Sequence, residues 1–329
     1  MEDRSSVAEL VTPANDSTVR CAEPEEPRTG RGSAAAERPA AVAFRPLAPG
    51  MRRLLFTAAV LVLLAGVQLF GFTGRTGHFF AFTIGNPLSA AFLGAGYWAA
   101  VAIEALAGRQ RLWASARIAV PAVLVFTVLT LAVTLTHLGQ LHLGAGFPAG
   151  TQVVAAAWIA IYLAVPALML VLLAVQARVP GADPPRGAGL PGWLYVLLAV
   201  QAVVLLGLGI ALFAAPSAAA PAWPWTLTPM MAQAIGAWLI ALGVAAGHAL
   251  AERDALRLRP AAAGYVVLAV LLLVALARYS HQFAWGSTSA IVYLIFLATM
   301  LLAGVAGLAR GLPRPARGRP SKTQPTRQA

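Results

Sequence analysis

Residues 80–100 read FAFTIGNPLSAAFLGAGYWAA, and residues 223–243 read WPWTLTPMMAQAIGAWLIALG. Each begins with two aromatic rings flanking one residue, passes through a threonine, and meets a proline, Pro87 or Pro229, that opens a long uncharged run. Such a run approaches the roughly 20 apolar residues that cross a hydrocarbon core. Proline suits a first helical turn because its missing N–H has no partner to lose there. The aromatic residues sit where a helix meets the membrane interface. One stretch therefore reads as the start of a membrane span, and its counterpart suggests that the span was duplicated.

Working outward, the chain offers eight such runs, at 53–72, 87–106, 117–136, 151–175, 195–213, 229–250, 261–277 and 288–308. The seventh is the shortest, but its Leu271, Leu272, Leu273 and Val274 still read as buried in lipid. Composition agrees: of 329 residues, 59% are hydrophobic and only 11% charged, and the mean hydropathy is +0.74. A soluble domain carries roughly 25% charged residues. The expected fold is all-α, a polytopic membrane helix bundle. A net charge of +12 would suit nucleic acid, but the basic residues lie in short segments between apolar runs rather than on one stripe, so no nucleic-acid partner is expected. A lone cysteine, Cys21, excludes an intramolecular disulfide and a cysteine-based metal site.

Orientation follows from the arginines, because short basic loops stay in the cytoplasm. Arg52 and Arg53 precede the first run, and Arg109 and Arg111, Arg178 and Arg186, and Arg253, Arg257 and Arg259 fill alternate loops. Arg310, Arg314, Arg317, Arg319, Lys322 and Arg327 follow the last run, whereas the opposite loops hold only Arg75 and Arg278. Both ends are expected in the cytoplasm, and the protein in the cell membrane. The opposite ends of the runs carry Phe70, Phe72, Phe79, Phe80, Phe82, Trp223, Trp225, Phe283 and Trp285, an aromatic belt. Residues 1–49, polar and nearly free of aromatics, read as a disordered tail. Residues 311–329 read as a basic tail able to meet anionic lipid, the bilayer being the one partner expected.

A shift of 142 positions places Pro49 and Gly50 on Pro191 and Gly192, and Pro87, Ala90, Leu93, Gly94 and Ala95 on Pro229, Ala232, Ile235, Gly236 and Ala237. The pattern predicts a tandem four-plus-four parallel repeat, residues 50–178 and 191–310, joined by a linker at 179–190. Four crossings return the chain to its starting side, so the copies share an orientation about an axis along the membrane normal. Ala90 and Gly94, Ala232 and Gly236, then Gly243 and Gly247, place small residues every fourth position and let backbones approach closely. They nominate the second and sixth helices for a contact near the axis.

Candidates for chemistry are few. Glu104 is the acid inside a span, and Arg109 and Arg111 lie near enough in sequence to pair with it; its repeat equivalent is Ala246. His78, His137, His142 and His281 fall in or beside the aromatic-side loops and form a candidate metal or haem set, although no tight ligand spacing ties them together. Gln68, Gln201, Gln233, Thr127, Thr130 and Thr134 suit helix-to-helix hydrogen bonds, and Pro121 and Pro166 suggest kinks. No Walker loop, nucleophile elbow or dinucleotide fingerprint is present, and no cofactor is implied.

The two quoted segments and the arginine-rich loops resemble those of uncharacterised multi-pass membrane proteins of GC-rich, actinobacterial-type genomes. The resemblance runs over residues 49–308 in pattern, and it implies no catalytic or binding residues. The functional expectation is a non-enzymatic solute-binding or transport module, with a site at the outer mouth near Thr83, Asn86, Pro87, Thr226, Thr228 and Pro229, and with Glu104 as the in-span acid. The alternatives are an accessory or structural membrane subunit, and an enzyme or cofactor protein using the four histidines.

Overall fold

A computed structural model describes residues 43–310. The expected contributions of residues 1–42 and of the basic tail at 311–329 lie outside the described residues. Eight helices are long and apolar enough to cross a membrane. They are α1 (Pro49–Gly66, continued by a π-helical turn over Val67–Gly71), α2 (Pro87–Gly108), α3 (Ala119–Thr136) and α4 (Ala149–Ala177). The remaining four are α5 (Gly192–Ala214), α6 (Pro229–Glu252), α7 (Arg259–Arg278) and α8 (Thr288–Arg310). The chain is an all-α polytopic bundle, and among the described residues there is no strand, only isolated bridges. α2, α6 and α7 are the most buried helices, while α4, α5 and α8 turn Val153, Leu170, Val196, Val203 and Ile295 outward. An exposed apolar surface of this extent suits lipid rather than water.

The proline-led starts are capped as their sequences suggest. The Asn86 carbonyl oxygen accepts hydrogen bonds from the amides of Leu88 (2.8 Å) and Ser89 (3.2 Å), and the Thr228 hydroxyl accepts one from Met231 (3.3 Å). Each satisfies amides that the first helical turn leaves unpaired. Pro121 also falls in the first turn of α3, where no intrahelical bond is lost, so the kink expected there has no cause; Pro166 alone lies inside its helix. Of the tail expected at 1–49, residues 43–48 are ordered. Residues 43–48 run extended, with Arg45 donating to Ala182 (2.9 Å), Leu47 to Arg111 (2.9 Å), and Ala48 to the Gln176 side chain (2.8 Å).

Small residues set the closest helix pairs, and in doing so they correct an expectation. A Cβ on Gly94 would lie 2.5 Å from the Phe70 amide of α1, and one on Gly236 would lie 2.7 Å from the Gly209 carbonyl of α5. Gly243 faces Leu206 of α5, whereas Gly247 faces open space. These glycines, with Ala90 and Ala232 buried beside them, therefore seat α1 on α2 and α5 on α6, rather than joining α2 to α6. α2 meets α6 elsewhere: a Cβ on Gly96 would stand 2.8 Å from the Trp238 ring. Between the halves, α2 packs chiefly on α7, and α6 on α3.

Several contacts recur 142 or 143 positions apart. His142 donates its amide to Ala81 (2.9 Å) and Ala284 to Pro224 (3.0 Å); Trp113 donates to Arg45 (3.1 Å) and Ala255 to Ala188 (3.0 Å). Phe80 and Phe82 meet edge to face at 4.9 Å, and Trp223 and Trp225, 143 positions on, do so at 5.1 Å; the third ring is Trp158 in one group and Tyr293, 135 positions on, in the other. Edge-on aromatic contacts of this kind add about 0.5–1.5 kcal/mol each beyond burial.

Candidate functional site

Glu104 stands one turn before the end of α2, where it is 2% exposed. The pairing with Arg109 or Arg111 that its position suggests is not made, and its Oε2 has no hydrogen-bond partner among the described residues. A carboxyl group left without a partner in a low-dielectric interior costs several kcal/mol, so its presence needs a reason. Glu104 lines a cavity of about 60 Å³ bordered by α1, α2, α3, α4, α6 and α7. The wall is apolar and aromatic: Phe126 and Trp238 meet in a tilted contact at 4.0 Å on one side, and Tyr162 lies on another, its hydroxyl 2.7 Å from that of Tyr97. Thr127 also lines the cavity, its own hydroxyl donating back to Leu124 at 2.9 Å.

The expected outer site is arranged differently from its reading. Thr226 and Pro229 line an open recess of about 450 Å³ with Trp223, Pro224 and Trp225; its lining comes from residues 216–229 and Ala284, so Thr83, Asn86 and Pro87 are not part of it. Asn86 and Thr228 are engaged as helix caps, and the Asn86 amide reaches the Thr226 carbonyl at 3.5 Å. The Thr83 hydroxyl lies 2.9 Å from His142 Nε2. The duplicated motif is thus accounted for by helix starts and aromatic packing.

The histidines do not converge. His142 is buried between the Phe80 carbonyl and Thr83, both at 2.9 Å, while His137 lies 2.7 Å from Gln233 and ties α3 to α6. His78 offers its carbonyl to Thr151, and His281 lies on a short 3-10 turn. Among the described residues no three His, Cys, Asp or Glu side chains gather as metal ligands, so the metal or haem set is withdrawn: two of its members are committed to hydrogen bonds on separate elements. Of the six polar residues expected to tie helices together, three do so, with Gln201 donating to Thr299 (3.2 Å), Gln233 to Phe213 (3.0 Å), and Trp158 to Thr134 (3.0 Å), whereas Thr127 bonds within its own helix.

A charged network at the arginine-rich face was not foreseen. Glu252, at the end of α6, accepts from Arg117 through both carboxylate oxygens (Arg117 Nη2 to Oε2 is 2.9 Å), and from Arg257 at 2.7 Å. Arg117 also pairs with Asp183, and Arg257 donates to the Pro184 carbonyl (2.7 Å) and contacts Asp254 at 3.2 Å. Asp254 in turn accepts from the amides of Gly187 (3.0 Å) and Leu256 (2.8 Å). Above all the hydrogen bond to Glu252 holds the Arg117 guanidinium protonated more firmly than in water. The network binds the linker between α4 and α5 to the start of α3 and the turn between α6 and α7. The acids themselves carry a signal for it: past residue 42 the chain has only four, Glu104, Asp183, Glu252 and Asp254. Three of these join the network and the fourth faces the cavity.

Fold and cavity together define a multi-pass helical membrane protein with one unpaired carboxyl inside it. Compared with family models, with curated proteins and with solved structures, the chain matches none.

Proposed function

We propose that this chain is a non-enzymatic solute-binding or transport module of the cell membrane, built from a duplicated four-helix unit, with both ends in the cytoplasm. Glu104 carries the functional part of the reading. An ionisable residue inside a membrane bundle that faces a cavity marks a ligand or ion pathway by default. This one is retained without a protein partner, where Gln or Met would be easier to bury. The paired contacts 142 or 143 positions apart support the duplication. The exchange of α2 onto α7 and α6 onto α3 supports it too, being the cross-packing a twofold arrangement produces. Orientation rests on the arginine bias of alternate loops.

The test uses dicyclohexylcarbodiimide, a bilayer-soluble reagent for buried carboxyl groups, on the full chain reconstituted in lipid. Mass spectrometry is expected to find the adduct on Glu104 rather than on Glu252 or Asp254, which are held by arginines. Within a panel of small amines, alcohols and carboxylic acids, at least one compound is expected to slow the labelling. If Glu104 stays unlabelled, or if no compound slows the reaction, the cavity is not a solute site and the reading fails.

A further inference from the structure

The lining of the Glu104 cavity is specific about what it suits. Its wall is almost wholly apolar, so an occupant must be mostly apolar to replace the contacts of an empty space. Its one acidic group is Glu104, and of the side chains lining it from six helices, Glu104 and Tyr162 alone titrate. Arg117, which precedes the cavity wall at Ile118 by one residue, is committed to Glu252 and Asp183 and supplies no counter-charge. The Phe126 and Trp238 rings, packed on each other at 4.0 Å, add only apolar and aromatic surface to the wall. An anionic occupant would bring a charge with no cation in the wall to pair with it, and a hydrocarbon would leave Oε2 unpaired.

We infer that the cavity takes a small monovalent organic cation, an alkylammonium, in exchange for a proton on Glu104. The inference rests on the binding reading above and names its ligand. A cavity of about 60 Å³, at about 10–15 Å³ for each water-sized group, suits an occupant of about four to six non-hydrogen atoms. The exchange balances: the empty site holds a neutral carboxylic acid, the arriving ammonium pairs with the carboxylate, and the displaced proton passes to water. The charge inside the bundle is zero before and after, which is the condition a low-dielectric site imposes.

The probes are n-butylamine and its neutral counterpart n-butanol, titrated into the full chain in lipid nanodiscs. Calorimetry in buffers of different ionisation enthalpy counts the protons. The expected result is about one proton released per n-butylammonium bound, with n-butanol weaker by about tenfold or more, since it makes no charge-assisted bond. Glu104→Gln, checked for an unchanged melting temperature, is expected to lose the amine preference and the proton release together. If n-butanol binds wild type as tightly as the amine, or Glu104→Gln keeps the preference, the cation inference falls while the binding reading stands. If neither probe binds nor slows carbodiimide labelling, the inference falls; if, in addition, no other compound in the panel slows that labelling, the binding reading falls with it.

Discussion

The first four helices and the last four share a frame but not a chemistry. In both, a glycine of the second helix touches the backbone of the first: Gly94 against Phe70, and Gly236 against Phe213 and Gly209. In both, two loop aromatics and one ring from the fourth helix pack edge to face. Yet Glu104 of the first half corresponds to Ala246 of the second, and the second half's own cavity, about 110 Å³ and nearer the aromatic face, has Tyr293 and no carboxyl. Steric demands are met twice in the same way, because close packing tolerates few solutions. Charge is free to differ wherever the fold does not require it, and the site lies where the halves differ.

The largest effect should follow from cutting the network that only the second half anchors. Glu252→Ala leaves Arg257, 4% exposed, without its main partner, and should cost about 3–5 kcal/mol, read as a drop in melting temperature in detergent. A loss below about 1 kcal/mol would reduce these pairs to ordinary surface contacts. Next, exchanging the chemistry of the halves should be asymmetric. Ala246→Glu puts a carboxyl against a space of only about 10 Å³ and should destabilise on the order of 3 kcal/mol, while Glu104→Ala should be neutral or stabilising. Equal losses from the two would mean that Glu104 is structural.

Gly236→Val should cost about 2 kcal/mol by forcing α5 away from α6, and Gly247→Val, facing open space, should cost far less. Matching losses would show that close packing on α6 is not confined to the α5 contact. The smallest change tests the sameness of the frame: Asn86→Ala and Thr228→Ala should each cost about 1 kcal/mol, and by similar amounts. A cap needed in only one half would mark the two helix starts as unlike in what they support.

Much of the fold is legible in the chain because lipid imposes a coarse rule. Apolar runs of about 20 residues are long, and the helices begin within a few residues of their expected starts. What the apolar runs do not show is the pairing at their ends: Arg117, at the edge of the third run, lies outside α3 and pairs with Glu252, 135 positions away. Ion pairs between distant loops leave no periodic trace. The small-residue spacing was visible, but its partner was not, since Gly94 facing α1 and Gly94 facing α6 are spelled alike. Glu104 stood out as an acid in an apolar run. Its cavity did not, because Phe126, Tyr162 and Trp238 come from three other helices and each reads as ordinary core.

Gly96 and Trp238 occupy equivalent positions, 142 apart, and they touch. Under the proposed duplication, a residue in contact with its own counterpart lies on the twofold axis. In a homodimer of single four-helix units that position would hold the same residue twice. Two tryptophans would collide there, and two glycines would leave a hole at the centre of the membrane. Under the proposed duplication, a large-and-small pair on the axis requires both copies in one chain and a difference between them. The same indole, turned to one side of the axis, forms part of the wall around Glu104, so the residue that breaks the symmetry of the frame also borders the one-sided cavity.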